Sequence, residues 1–202
     1  TKAIRLRGQG EVHMIDANKG GVIVTVAARG IGLAVAQSGE VHMIDANKGG
    51  VIVTGAARGI GLAVAQSAAR TGYGVVIADI DEAAGTKATQ SILTSGGRAI
   101  FCKVDVTDRS TVTAAVTACE TEFGFLHGIV NNAGFNRPMP FLETTEENWT
   151  QIMAVNGLGV LIGMQEASKA MIATGHKGKI ISTASMAGRA GFGDFAPYCA
   201  SQ

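Results

Sequence analysis

Neither sign of charge prevails in this chain: 17 basic and 16 acidic side chains leave a formal net charge of +1 over 202 residues. That balance gives no electrostatic footprint for a nucleic-acid or membrane partner, and neither is expected. Cysteine is scarce. Cys102, Cys119 and Cys199 are odd in number and widely spaced, and they form neither a C-x-x-C pair nor a metal-ligand cluster. Free thiols, buried or half-buried, in a reducing cytoplasmic setting are the expectation. Long apolar runs are missing too, since none approaches the roughly 20 residues that a membrane span requires. The opening Thr1-Lys2-Ala3-Ile4-Arg5 carries charge with no apolar stretch after it, so no secretion signal is expected. His13, His42, His127 and His176 show no metal spacing and read as structural or surface residues; no metal is expected. Apolar side chains, by contrast, make up 47% of the chain against 16% charged. That is enough for the substantial core of one domain.

The front of the chain is duplicated. Residues 10–38 read GEVHMIDANKGGVIVTVAARGIGLAVAQS, and residues 39–67 repeat them with one change, Gly55 standing where the first copy has Val26. Two copies are too few for a solenoid, whose units bury each other's apolar faces. They look like a recent duplication of a strand–turn–helix start, or an error of sequence assembly. Val26 occupies the place of a turn glycine, and a β-branched residue resists positive φ. Residues 1–49 are therefore expected to be an appendage holding the duplicate, and residues 50–202 the folded domain.

From the second copy onward, short apolar strands alternate with amphipathic helices. Strands are expected at Val51-Ile52-Val53, Val75-Val76-Ile77-Ala78, 98–104, 126–131 and Lys179-Ile180-Ile181-Ser182. Helices are expected over about 60–70, 82–94, 108–122, 145–155 and 158–174. This alternation predicts an α/β fold, a doubly wound parallel sheet with helices on both faces. Trp149 with Phe141 and Leu142 reads as core packing, or as a lining for a substrate.

Thr54-Gly55-Ala56-Ala57-Arg58-Gly59-Ile60-Gly61 follows a strand and opens a helix. A dinucleotide pyrophosphate needs bare backbone N–H groups at a helix N-terminus with no Cβ in the way, and glycine supplies both. Glycine spacing alone is a weak signal among 28 glycines; its place between strand and helix strengthens it. Asp79 ends the next strand. A carboxylate there can accept from the adenosine ribose hydroxyls and would repel a 2′-phosphate, which favours NAD over NADP. A solvated loop acid is the alternative, Asp81 lies close by, and Arg58 within the turn would suit NADP. A kinase-like phosphate loop is disfavoured, because no Lys-Ser/Thr follows the glycines.

With Asn131-Asn132-Ala133-Gly134 at the end of the fourth strand, the sequence resembles the short-chain dehydrogenase/reductase family. The family's T-G-x-x-x-G-x-G matches 54–61 and its N-N-A-G matches 131–134. The resemblance covers residues from about 48 to 202 and implies a Rossmann sheet. It implies a coenzyme site made of Gly55, Arg58, Gly59, Ile60, Gly61, Asp79, Asp105, Val106, Asn132, Ala133, Gly134 and Tyr198, with Asp105 and Val106 against the adenine. It also implies that Asn156, Ser185 and Tyr198 are catalytic, Ser185 standing 13 positions before Tyr198. Tyr198 would be the general acid/base, Ser185 would hydrogen-bond the substrate oxygen, and Asn156 would hold a water that links the proton to solvent. Taken singly, these three also read as a loop hydroxyl, a half-buried aromatic and a helix-breaking polar residue. The segments 76–81 and 178–182 look similar to NAD-dependent polyol, acetoin and butanediol dehydrogenases. The implied activity is hydride transfer between NAD(H) and a secondary alcohol or ketone.

One departure bears on the chemistry. The family closes its motif as Y-x-x-x-K, whereas Tyr198-Cys199-Ala200-Ser201-Gln202 carries glutamine. A free tyrosine titrates near roughly 10, so the phenolate is scarce at neutral pH without a neighbouring cation. Activity is expected to be impaired, and a non-catalytic nucleotide-binding or dimer-forming remnant is the alternative. Measured against the family, the chain is expected to be truncated and the sheet incomplete at its C-terminal edge. A homodimer is conceivable through the helices near 108–122 and 158–174, and the family's full tetramer is doubtful.

Overall fold

Valine and isoleucine crowd the strands of this protein because both faces of the sheet are covered. Val51, Ile52 and Val53, and Val75, Val76 and Ile77, are all buried, the pattern that a parallel sheet between two helical layers demands. The computed structural model describes residues 22–27 and 48–202. Residues 1–21 and 28–47, including His13 and His42, lie outside the described residues.

Six strands are present: β1 (Val22–Ala27), β2 (Gly50–Thr54), β3 (Gly74–Asp79), β4 (Arg98–Lys103), β5 (Leu126–Asn131) and β6 (Lys179–Ala184). They form one sheet in the order β1-β6-β5-β2-β3-β4, every neighbouring pair parallel. From β2 the chain runs outward through β3 to β4, then returns to lay β5 on the other side of β2. The C-terminal ends of β2 and β5 therefore flank a topological switch point, where open α/β sheets bind ligands.

The helices are α1 (Gly59–Arg70), α2 (Glu82–Thr94), α3 (Arg109–Phe123), α4 (Glu146–Met153), α5 (Gly159–Thr174) and α6 (Ala196–Ser201). Alternate residues of each strand feed opposite faces. Ile52 and Val76 join Val112, Val116, Phe123 and Ile162 beneath α3 and α5. Val51, Val53, Val75 and Ile77 join Ala65, Ala69 and Ile92 beneath α1 and α2. Three helices start on side-chain caps: Asp81 accepts from Ala84 N at 3.0 Å, Asp108 from Ser110 N at 2.9 Å, and Thr145 from Asn148 N at 3.1 Å. At α1 the N-cap is Arg58, which gives no side-chain cap bond.

Two features were not evident from the sequence pattern. The helices expected at 145–155 and 158–174 are one continuous run in which a π-helical stretch, Ala154–Leu158, joins α4 to α5. In addition, β1 of the first copy pairs with β6 in unbroken register, from Val22 opposite Lys179 to Ala27 opposite Ala184. Gly55 ends β2 by turning at φ 63°, whereas Val26 at the equivalent position continues β1. Residues 22–27, expected within an appendage, are thus an edge strand of the sheet.

Candidate coenzyme and active site

Each glycine of the β2–α1 turn answers a different constraint. Gly55 adopts φ 63°, and a Cβ on it would lie 2.9 Å from the Ala133 Cα. Gly59 adopts φ 59°, yet a Cβ there would meet no protein atom within 4 Å. A Cβ on Gly61 would collide with the Gly55 carbonyl oxygen. The turn is thus folded tightly on itself and against the end of β5, with open space over Gly59. The first N–H groups of α1 have no intrahelical partner, and Arg58 contributes no acceptor for them.

Asp79, at the end of β3, faces this turn. Its Oδ2 accepts from Ala57 N at 2.9 Å and its Oδ1 from Asp81 N at 3.0 Å. Arg58 forms an ion pair with Asp81. The Asp81 carboxyl titrates below its usual range, first because Ala84 N donates to it and then because of the Arg58 charge. Gly55, Arg58 and Asp79 line a trough of about 340 Å³ together with Ile80, Asp105 and Val106. Within it the Asp105 carboxylate turns back on its own loop, Oδ1 accepting from Thr107 N at 2.9 Å and Thr107 Oγ1 at 2.7 Å.

The trough meets a second cavity, of about 510 Å³, at Ala133, Gly134 and Phe135. Ile60, Asn132, Asn156, Ser185, Tyr198 and Gln202 all line that cavity. The joint between the two is built by Thr54. Its Oγ1 accepts from both Asn132 N and Ala133 N at 3.0 Å and reaches Val130 O at 3.4 Å. Asn132 Nδ2 in turn donates to Thr54 O at 3.1 Å and Gly55 O at 3.3 Å. The Asn-Asn-Ala-Gly segment is therefore clamped to the glycine turn by contacts between residues 77 to 79 positions apart, which local spacing does not reveal.

Asn156 sits on the π-helical stretch and is buried. Ser201 Oγ accepts from Asn156 Nδ2 at 2.9 Å and donates to Tyr198 O at 2.8 Å, which ties α6 to that stretch. Ser185 caps the 3₁₀ turn Met186–Gly188, its Oγ accepting from Ala187 N at 3.2 Å. The Tyr198 ring stands edge-on to Phe195, with centroids 6.2 Å apart. Thr54, Phe135 and Ser201 were not singled out from the sequence for these roles; Thr54 lay inside the glycine motif and Ser201 at an unspecified position of the tyrosine motif.

Some expectations fall away. Phe141, Leu142 and Trp149 are not core, with exposures of 72%, 94% and 46%, and they line neither of the two cavities described above. His127 lies beside Tyr73, and His176 stacks on Phe125. Among the described residues no cluster of histidine, cysteine or carboxylate has metal-binding geometry, and no helix is long and apolar enough to cross a membrane.

The profile of the short-chain dehydrogenase family matches residues 50–202, and the chain belongs to that family. It is 42% identical over 180 residues to galactitol 2-dehydrogenase of Agrobacterium fabrum, an alignment covering 89% of this chain and 58% of that protein. It is 36% identical over 126 residues to L-2,3-butanediol dehydrogenase of Corynebacterium glutamicum, covering 61% and 49%. A crystal structure of a short-chain dehydrogenase/reductase from Burkholderia phymatum in complex with NAD superposes with a TM-score of 0.74 at 30% identity. That match covers 79% of this chain and 57% of the other. The chain spans about half the length of the curated relatives it matches.

Proposed function

We propose that this chain is the coenzyme-binding and catalytic part of an oxidoreductase that moves hydride between NAD(H) and a secondary alcohol or ketone, a polyol or small diol. One observation carries the reading: the trough lined by Gly55 and Asp79 shares Ala133, Gly134 and Phe135 with the cavity lined by Asn156, Ser185 and Tyr198. Its chemistry fits a dinucleotide. Open space over Gly59 and unpartnered N–H groups at the start of α1 suit a pyrophosphate. The Asp79 carboxylate retains lone pairs for ribose hydroxyls after accepting from Ala57 and Asp81, and its charge favours NAD over NADP. Asp105 and Val106 would flank the adenine, with Asn132, Ala133 and Gly134 beneath the bound molecule. The names of the galactitol and butanediol enzymes support the substrate class.

A bound nicotinamide would supply the hydride-accepting or hydride-donating carbon. The chain's own residues would do the rest. Ser185 Oγ accepts from Ala187 N, which leaves its proton to donate to a substrate oxygen. Tyr198 would exchange the proton of that oxygen. Asn156, with its side chain engaged by Phe135 and Ser201, would hold the cavity wall and α6 in place. Residues 50–202 would constitute the functional domain, acting in the cytoplasm. Leu161 and Ile172, exposed on α5, would suit pairing of two copies through α3 and α5.

A second reading, a nucleotide-binding remnant without catalysis, is favoured by Gln202, which lines the cavity where the family has lysine. NADH fluorescence titration combined with a hydride-transfer assay on a panel of polyols and small diols separates the two. Binding with turnover supports the enzyme, and turnover should rise in Gln202→Lys. Binding with no turnover in either form supports the remnant, and no binding of either coenzyme by folded protein defeats both.

A further inference from the structure

Arg58 is the one basic residue lining the 340 Å³ trough among the described residues, and two carboxylates, Asp79 and Asp105, line it with Arg58. A phosphate on the adenosine 2′-oxygen would need that cation. The guanidinium is drawn aside through one nitrogen: Arg58 Nη2 donates to Asp81 Oδ2. Asp81 is not free to swing away, because its other oxygen caps α2 through Ala84 N at 3.0 Å and its backbone N–H is held by Asp79 Oδ1 at 3.0 Å. The carboxylate is therefore anchored by its helix, and the flexible arginine comes to it.

Building on the dinucleotide reading above, we propose that Asp81 is a positioning residue for coenzyme selection: by holding Arg58 it withholds the trough's cation from a 2′-phosphate. Asp79 excludes that phosphate by repulsion from within the trough; Asp81 excludes it from outside by occupying the group that would bind it. The two act on the same choice through different atoms. The pair is solvent-exposed, with side-chain accessibilities of 70% for Arg58 and 40% for Asp81. Its influence is accordingly modest, and the change expected from breaking it is about threefold to fivefold in an affinity ratio.

Asp81→Asn tests this, because the amide oxygen can still cap α2 while the charge is removed. Wild-type chain and variant are titrated with NADH and with NADPH by fluorescence, and folding is checked by circular dichroism. The ratio of the NADPH to the NADH dissociation constant should fall about threefold to fivefold in Asp81→Asn. Adding Arg58→Ala to that variant should abolish the gain, whereas Arg58→Ala alone should leave the wild-type ratio nearly unchanged. An unaltered ratio in Asp81→Asn with NADH binding retained overturns the proposal and leaves the dinucleotide reading standing. So does a gain that survives loss of Arg58, or a wild-type ratio that rises several-fold in Arg58→Ala alone. If folded wild-type protein binds neither coenzyme, both fall together.

Discussion

Asn156 grips Phe135 by both of its backbone polar atoms, Oδ1 accepting from the Phe135 N–H at 3.0 Å and Nδ2 donating to the Phe135 carbonyl at 3.0 Å. Phe135 belongs to the seam shared by the trough and the larger cavity, so one amide fixes the wall common to both. Asn156→Asp keeps the acceptor but turns a second oxygen toward a carbonyl. Expected are a loss of about 1–3 kcal/mol in chemical denaturation and weaker NADH binding. An unchanged denaturation midpoint at neutral pH would show that the clamp does not hold the wall.

Two glycines of the same turn should respond in opposite ways. Gly59→Ala places its methyl in open space at φ 59°, costing about 1–2 kcal/mol of stability for the left-handed conformation. On the proposed reading, in which that space takes the pyrophosphate, NADH affinity should nevertheless drop at least about tenfold. Gly61→Ala drives its methyl against the Gly55 carbonyl, and the main effect should be on thermal stability, about 1–3 kcal/mol. Calorimetric titration and a melting curve on each variant distinguish the patterns; full NADH affinity in Gly59→Ala would remove the pyrophosphate from this turn.

Acid should weaken the contact between α3 and α5. Glu166 is largely buried there and accepts from Arg109 Nη1 at 2.5 Å, Lys169 Nζ at 2.7 Å and Thr113 Oγ1 at 3.2 Å. Its carboxyl is held below its usual range, chiefly by the Lys169 bond and then by Arg109. A carboxylate whose pKa is lower folded than unfolded adds stability above the unfolded value, roughly 4.3. That stability is lost as pH falls through the folded value. Glu166→Gln should cost about 1 kcal/mol at pH 7, and the variant's stability should decline less steeply than the wild type's below roughly pH 4.5. Urea denaturation across that range provides the measurement.

The three thiols should react in sequence. Cys119 is fully buried, and burial pushes its pKa up to about 12; the partly buried Cys102 is also raised by burial. Cys199 is half-buried. A chromogenic disulfide reagent should label Cys199 first and Cys102 more slowly, with Cys119 reacting only on unfolding. Rapid labelling of Cys119 in the native state would contradict the packing of α3 on β2.

Much of this architecture could be read from the residues. Leu126–Asn131 is a strand at the bounds expected, because a short apolar run between a helix end and Asn-Asn-Ala-Gly leaves few alternatives. The glycine turn was legible for a similar reason: strand, glycines and helix are adjacent in sequence. The π-helical stretch was not legible, since i→i+5 bonding leaves no period that differs from helix over five residues. Nor were the bonds of Asn156 to Phe135 and Ser201, which join residues 21 and 45 positions apart. Such contacts follow from how elements pack, and the chain's local pattern carries no trace of them.

The pairing of β1 with β6 has a consequence for how the chain finds its structure. Val22–Thr25 and Val51–Thr54 are the same four residues, so the molecule carries a decoy of its own central strand. The two stretches first differ at the next residue, valine in one case and a glycine at φ 63° in the other. Val26→Gly would remove that distinction and leave two equal claimants for the place between β3 and β5. Doubled amide resonances from those neighbouring strands are the expected sign of a mixed population. On that expectation Gly55, which turns the chain at the end of β2, would also act as an address label, telling two otherwise identical strands apart.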